Sequence, residues 1–303
     1  MIQGFEIIKC PICGSEKHDL HLKTFDRFAE ECKDEFEIVK CSECNFIFLN
    51  PRPGIDVLGN YYDVDGYDPF ISEDKEQSLR DKFYMALRNY NLSVKHRKIK
   101  KYKSKPGKIL DIGCATGEFL ENYQKYFWQC TGVEVDDGAR TIAKNKNIKV
   151  FSSVHGIPET EKFDIITMWH VLEHVHDLNE TVEKIRTLLK DDGILVIAVP
   201  NIEAYDAKIY KQEWVALDTP RHLYHYSIET IQKLFRKYNI KLINKHTLLL
   251  DNLYNNLLSK QLAKTGFISF GWTLLGSLLK TYLVSNKNSS SLVYYFTKEL
   301  NNE

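Results

Sequence analysis

The sequence predicts an α/β chain: a doubly wound parallel sheet between helix layers, preceded by a small N-terminal lobe held by cysteines. Three observations carry this. Apolar and amphipathic runs alternate from Lys108 onward. Runs such as ILVIAV are apolar throughout, which implies burial on both faces and hence a parallel sheet covered by helices. Ahead of them stand two C-x2-C pairs, Cys10/Cys13 and Cys41/Cys44.

With 303 residues the chain has ample material for one large domain or two small ones. Lys+Arg and Asp+Glu balance at 41 each. That argues against a generic nucleic-acid binder, which would carry a basic excess. The dense basic stretch at 95–108, KHRKIKKYKSKPGK, reads as a solvated helix end. The N-terminus lacks the charged-then-apolar pattern of a secretion signal, so a cytoplasmic location is expected. Seven cysteines then suggest thiols rather than disulfides.

Residues 1–50 form the predicted lobe. Four thiolates on two tight knuckles can close a tetrahedral zinc site with no open position, which makes the metal structural. A redox dithiol or a catalytic metal is the competing reading. Gly14 suits the first knuckle, and Asn45 can supply a left-handed turn in the second. Cys32, Cys114 and Cys130 stand outside the ligand set. Residues 51–105 read as a linker and helical lid. Pro51-Arg52-Pro53-Gly54 breaks the chain; Tyr61, Tyr62 and Tyr67 follow; then Leu79, Phe83, Leu87 and Tyr90 recur at helical spacing over 73–103.

The rest, 106–303, is the main domain. Strands are predicted at 108–112, 129–135, 148–151, 163–169, 193–199, 240–250 and 291–298. Helices are predicted at 117–127, 137–146, 178–190 and 228–238. Asp177 and Glu180 suggest a capping box for the third helix, Asp191-Asp192-Gly193 a turn after it, and Ser227 a cap for the fourth. An insertion at about 252–290 is longer than a hairpin needs. Its centre, 266–284, has Lys280 as its single charge, and its glycines make it borderline for spanning a bilayer. Packing over the substrate mouth or against a partner is the first reading, and peripheral membrane contact through 266–284 the second.

The most informative stretch is KILDIGCATG at 108–117, followed by GVEVD at 132–136. A strand ends on Asp111, opens into Gly113-Cys114-Ala115-Thr116-Gly117, and a second strand ends on Glu134. Glycines let backbone approach a ligand closely. An acid at the tip of the second strand suits the paired hydroxyls of a ribose. The pattern is D-x-G-x-x-x-G rather than G-x-G-x-x-G, and no Lys-Ser/Thr follows, so the turn reads as a nucleoside site without a pyrophosphate. It resembles motif I of the class I S-adenosylmethionine (SAM)-dependent methyltransferases, which implies a Rossmann-like methyltransferase sheet. On that resemblance Asp111 orients the turn or meets the ligand's amino group through water. Gly113, Cys114, Ala115 and Gly117 pass its methionine portion and sugar, and Glu134 takes the ribose. Val135, Trp169 and His170 complete the cofactor set.

FDIITMWHVLEHVHDL, at 163–178, is the second distinctive piece. His170-x-x-Glu173-His174 has the look of a metal motif, but that motif needs a helix and an independent third ligand, whereas these residues open a loop. Glu173–His174 is therefore read as a structural hydrogen-bonded pair and His176 as a surface histidine. In the methyltransferases the chain resembles, this segment flanks the cofactor's methionine end, and His170 takes that role. The third piece is WVALDTPRHLYHYS at 214–227. A histidine near its natural pKa is the obvious proton acceptor when an acceptor atom is methylated. His222 is the first candidate and His225 the second, with Trp214 and Tyr224 joining Tyr61, Tyr62 and Tyr67 around the acceptor. The alternative is a packing loop that caps helix 228–238.

The whole pattern of zinc ribbon, NPRP…YY…Y linker, SAM fold and PRHLYHYS loop is similar to the deoxysugar C-methyltransferases. That resemblance implies a nucleotide-linked or glycan-type sugar as acceptor and a lobe closing over it. Those enzymes place glutamate before the loop histidine, where this chain has Arg221, so an oxygen acceptor is equally admitted. The quinone O-methyltransferases share the LEHV segment without the lobe, which leaves O-methylation of a lipid-like or aromatic metabolite as the alternative. A SAM-binding zinc-ribbon module without turnover is the non-enzyme reading. TMWH after the fourth strand, in place of N/D-P-P-Y/F, weighs against base methylation of nucleic acid.

Overall fold

Short strands between and after the cysteine knuckles build the N-terminal sheet. The computed structural model describes residues 4–29, 35–62, 92–264, 267–284 and 286–299. Its first strands are β1 (Phe5–Glu6), β2 (His18–Phe25), β3 (Glu35–Cys41), β4 (Ile47–Leu49) and β5 (Arg52–Pro53), followed by α1 (Ile55–Leu58). β2, β3 and β4 pair antiparallel in sequence order, and β1 pairs with β5. Of the helix expected over 73–103, α2 (residues 92–99) is described. Tyr67, Leu79, Phe83, Leu87, Tyr90 and Cys32 lie outside the described residues.

From Lys108 the predicted alternation appears: β6 (Lys108–Ile112), α3 (Glu118–Gln124), β7 (Gln129–Val133), α4 (Asp137–Asn145), β8 (Lys149–Phe151) and β9 (Phe163–Trp169). β6 pairs parallel with β7 and β9, and β7 with β8. Ile109, Leu110, Ile165 and Ile166 are fully buried. Each such side chain contributes about 1.5–3 kcal/mol by leaving water. The Asp136 carboxylate caps α4 by accepting the Ala139 N–H at 2.7 Å.

Next come α5 (Leu178–Leu188) and β10 (Leu189–Pro200). The predicted turn at Asp191-Asp192-Gly193 is absent, because β10 starts directly after the helix. Asp191 and Asp192 stay exposed on the strand and pair with Lys298 and Lys103. Then follow α6 (Tyr205–Tyr210), β11 (Tyr224–His225), α7 (Ile228–Arg236), β12 (Ile240–Thr247), α8 (Leu249–Leu262), α9 (Phe267–Leu279) and β13 (Ser291–Lys298). The strand expected to reach residue 250 stops at Thr247, and Leu249 already opens α8.

The main sheet has seven strands in the order β12-β13-β10-β9-β6-β7-β8. From β6 the chain builds outward to β8 on one side, then continues at β9 on the other. The switch point falls between β6 and β9, where doubly wound sheets bind ligands at the strand ends. The last strand, β13, inserts between β10 and β12. The smaller sheet runs β11-β4-β3-β2: Tyr224 pairs with Phe48 and His225 with Ile47. The histidine loop thus adds a strand to the cysteine lobe.

The chain divides into two compact units. One comprises Met1–Tyr67, Trp169–Val182 and Ile197–Phe296, and the other Asp68–Met168, Glu183–Val196 and Thr297–Glu303. Within the first unit, α8 and α9 are built inside out. Asn252, Asn255, Asn256 and Ser259 of α8 and Thr273 and Ser277 of α9 are buried. Leu253, Tyr254, Leu257, Trp272, Leu275 and Leu279 are exposed, Trp272 at 70%. Some of the inward polar groups are bonded: Asn252 Oδ1 accepts from the Ser290 N–H and the Ser289 hydroxyl, and Ser259 Oγ accepts from the Val215 N–H. No helix among the described residues is long and apolar enough to cross a membrane.

Candidate functional site

β6 delivers Asp111 into the interior, 2% exposed, and the chain then turns with φ +74° at Gly113 and +83° at Gly117. Side chains disfavour these angles, which is why glycine stands at both places. The turn uses its own amides internally. Gly113 and Cys114 donate to the Val133 carbonyl at 2.8 and 2.9 Å, and Gly117 donates to that of Cys114 at 2.9 Å. The Ala115 N–H donates to Glu134 Oε2, and the Asp136 N–H to Oε1, both at 2.9 Å. Gly113, Cys114, Ala115 and Gly117 therefore have no idle amide for a pyrophosphate, in keeping with a nucleoside site. A carboxylate has about four acceptor sites, so Glu134 keeps capacity for two ribose hydroxyls. Gly132 lets the turn seat on β7, since a Cβ there would stand 2.5 Å from Cys114 Sγ.

Burial pushes the Asp111 carboxyl up to about 7, and the charge of Glu134 adds to the rise. The Thr167 hydroxyl, donating to Oδ1 at 2.5 Å, and the Lys95 ammonium work the other way. Thr167 is paired with Asp111 across β6 and β9. It was readable in the sequence only as a polar residue inside a mostly apolar strand. Val135 is 81% exposed at the end of β7, and Trp169 ends β9 half-buried.

The histidines take different surroundings. His170 follows β9 with φ +57°, and its Nε2 stands 2.8 Å from Asp251 Oδ2. Burial works against its charged form, but Asp251 and then Glu173 outweigh it and raise the imidazole to about 10. An imidazolium cannot take an acceptor's proton, so His170 is restricted to positioning and charge. Asp251, just ahead of the insertion in the first turn of α8, carried no local signal. His225 sits in β11, buried and pushed down to about 3 by burial and then by His21. His222 lies elsewhere: its ring meets that of His174 edge-on at 4.5 Å, and its Nδ1 faces the Ala216 carbonyl at 2.9 Å.

Glu173 does not pair with His174 as the sequence suggested. It is 1% exposed, its carboxylate oxygens have no hydrogen-bond partner among the described residues, and its one ion contact is His170 Nδ1 at 3.4 Å. His174 turns its Nδ1 to the Arg221 carbonyl at 3.2 Å and the Tyr62 hydroxyl at 2.9 Å instead. Nor is His176 a surface histidine, because it is drawn in beside Arg52 and Glu6 and its side chain is 13% exposed.

Of the expected acceptor residues, Tyr62 reaches this histidine group. Tyr61 packs its ring on Phe5 and Phe36 and gives its carbonyl to Arg221. Trp214 is 2% exposed and donates its indole N–H to Asp206 at 2.9 Å. Tyr224 is buried, accepting from Arg52 at 2.7 Å and donating to the His176 carbonyl at 3.2 Å. Trp214 and Tyr224 are thus packed into the protein. Arg221, in the glutamate's place, is fully buried between Asp26 and Asp218.

The sulfurs of Cys10, Cys13, Cys41 and Cys44 lie within 4.8 Å of one another. Cys10–Cys44 and Cys13–Cys41 stand at 3.4 and 3.5 Å. Four sulfurs each about 2.3 Å from one zinc would lie about 3.8 Å apart, so the set fits that ion. Asn45 has φ +65° and Gly14 +76°, the left-handed turns the two knuckles require.

Fold and turn together define a doubly wound α/β chain with a glycine turn after β6 tied to the acid at the end of β7. A sequence model of the methyltransferase domain matches residues 80–245, more than half of the chain, which belongs to that methyltransferase family. The seven-stranded sheet is its Rossmann-like fold. The chain is 31% identical over 134 residues to a ubiquinone biosynthesis O-methyltransferase of Glaesserella parasuis, covering 39% of this chain and 57% of that protein. It is 34% identical over 140 residues to an uncharacterized protein of Methanocaldococcus jannaschii, covering 45% and 52%. The chain thus spans about half the length of the curated relatives it matches. A solved structure of a SAM-dependent methyltransferase from Archaeoglobus fulgidus covers 70% of this chain and 94% of its own at 18% identity, with a TM-score of 0.49.

Proposed function

We propose that the chain transfers a methyl group from SAM to a small-molecule acceptor, with a nucleotide-linked or glycan-type sugar as the first class to test. The observation that carries this is the turn at Gly113–Gly117. Its named amides are satisfied internally, its apex is tied to Glu134, and it lies in a methyltransferase-family sequence. Bound there, SAM supplies an electrophilic methyl on a sulfonium. The protein's work is to align the acceptor atom with it and to remove one proton. The ribose falls to Glu134 and the amino group to Asp111. Proton removal falls to the group formed by Glu173, His174 and His222. Cys10, Cys13, Cys41 and Cys44 would hold a structural zinc.

A methyl-transfer screen against nucleotide sugars, read by mass spectrometry, tests the acceptor. His222→Ala should keep SAM binding and lose turnover by at least about a hundredfold, the usual scale of acid–base assistance. Full activity in that variant would place proton removal elsewhere.

The inside-out hairpin α8–α9 favours a second reading, a lipid-like or aromatic acceptor met at a membrane surface. Its exposed Trp272 and leucines are accompanied by Lys260, Lys264, Lys280 and Lys287, while Asp251 is engaged with His170. An apolar face on a stretch of chain that carries lysines suits an anionic bilayer, whereas a second copy of the chain would bring like charges together. Flotation with phosphatidylglycerol vesicles should recover the protein, and Trp272→Ser with Leu279→Ser should abolish recovery. Equal recovery of that variant would contradict the reading.

A further inference from the structure

We propose that Glu173, His174 and His222 form a second metal site, distinct from the four-cysteine cluster, that takes a first-row divalent transition-metal ion. The three ligand atoms lie within 4.8 Å of one another. Ligands about 2.0–2.2 Å from a shared ion stand roughly 3–4.3 Å apart, so small side-chain adjustments close the set.

Three features point to an ion rather than a packed polar core. First, the Glu173 carboxylate is 1% exposed and neither oxygen has a hydrogen-bond partner among the described residues. Leaving a buried acceptor unsatisfied costs about 1–3 kcal/mol, and more for a charged one. Its single ion contact, with His170 Nδ1 at 3.4 Å, is longer than an ordinary hydrogen bond, while the other ring nitrogen of His170 makes the short bond to Asp251 at 2.8 Å. Second, the His222 imidazole is set in one tautomer. Its Nδ1 faces the Ala216 carbonyl at 2.9 Å, whereas His174 Nδ1 is shared between the Tyr62 hydroxyl at 2.9 Å and the Arg221 carbonyl at 3.2 Å. A carbonyl only accepts, so His222 Nδ1 carries the proton and its Nε2 keeps its lone pair. An Nδ1–H bonded to a carbonyl is the outer-shell arrangement of metal-binding histidines. Third, the residues come from two distant segments, 173–174 and 222, so the ligand that the H-x-x-E-H pattern lacks locally is supplied by the PRHLYHYS loop.

Two imidazoles and one carboxylate suit zinc, manganese, iron(II) or cobalt(II) better than magnesium or calcium, whose ligands are oxygens. Three protein ligands leave positions open, as in catalytic rather than structural sites. Resting on the methyltransferase reading, the acceptor would be one that presents an oxygen to such an ion. His222 would then act as a ligand, and its loss would remove turnover through the ion.

The test is a cobalt(II) titration of protein whose cysteine site is already filled with zinc. One further equivalent should bind with visible d–d bands and no sulfur-to-metal charge transfer. Glu173→Gln and His222→Gln, each checked for folding by circular dichroism, should weaken that binding by at least about a hundredfold, since even outer-shell partners are worth about 10–100-fold. A crystal soaked in cobalt(II) should show anomalous density between the three residues. Bands that carry thiolate charge transfer, unchanged binding in the variants, or density confined to the cysteines would overturn the proposal. SAM titrations on the same samples report on the nucleoside site separately, so either reading can fail without the other.

Discussion

Asp111 and Gly132 are the residues on which the nucleoside turn depends most, and they make opposite kinds of demand. Gly132 is a matter of space: Gly132→Ala would press a methyl against Cys114 Sγ. Overpacking of this kind costs about 1–3 kcal/mol, so urea unfolding should show that loss, and an unchanged midpoint would contradict the packing. Asp111 is a matter of charge. Its carboxyl is raised from about 3.9 to about 7. Its contribution to the stability of the unliganded protein is therefore full below about pH 4 and lost as pH rises through 7. A cationic ligand reverses that preference. SAM binding at about pH 6 should release a proton, and affinity should climb with pH and level off above 7. Calorimetry in buffers of different ionisation enthalpy reads this directly, and proton uptake would contradict it. The site residues visible in the sequence were those with a local reason to be there: two glycines at positive φ, an acid at each strand tip, and Asn45 in its knuckle. Thr167 and Asp251 were not visible, because their partners are brought by pairing and packing far along the chain.

Elements followed local chemistry closely where apolar faces point inward. β6, β9 and β13 have their predicted limits, and Ser227 caps α7 in a capping box with Thr230. Ser227→Ala should lower stability by about 1 kcal/mol in thermal unfolding; no change would mean the cap is idle. The insertion shows where the sequence pattern failed. Leu253 and Leu257 of α8 and Leu275 and Leu279 of α9 stand one helical turn apart, a spacing that ordinarily marks the buried face, yet they look outward while asparagines, serines and threonines look inward. Periodicity locates a helix but does not say which side faces the protein when polar residues find partners inside.

At the scale of the molecule, the parallel sheet was legible from its apolar strands, whereas its edge was not. Nothing local tells β13 to enter between β10 and β12, or Tyr224–His225 to extend the cysteine sheet. A separate long-range bond, from the Leu223 N–H to the Glu173 carbonyl at 2.8 Å, brings His222 to Glu173 and His174. Metal binding and folding are coupled when ligands converge only in the native state. Protein purified without chelator should hold about one tightly bound zinc, read by elemental analysis, and its removal should lower the melting temperature. An unchanged melting temperature after removal would show that the cysteines do not staple the lobe.

The most direct test of the central claim is calorimetric titration of SAM into the wild-type protein and Glu134→Ala. One SAM should bind per wild-type chain, with affinity reduced at least about tenfold, or about 1.4 kcal/mol, in the variant. Equal affinity in the two proteins, or no binding to the wild type, would contradict the assignment of the turn between β6 and β7 as the nucleoside site.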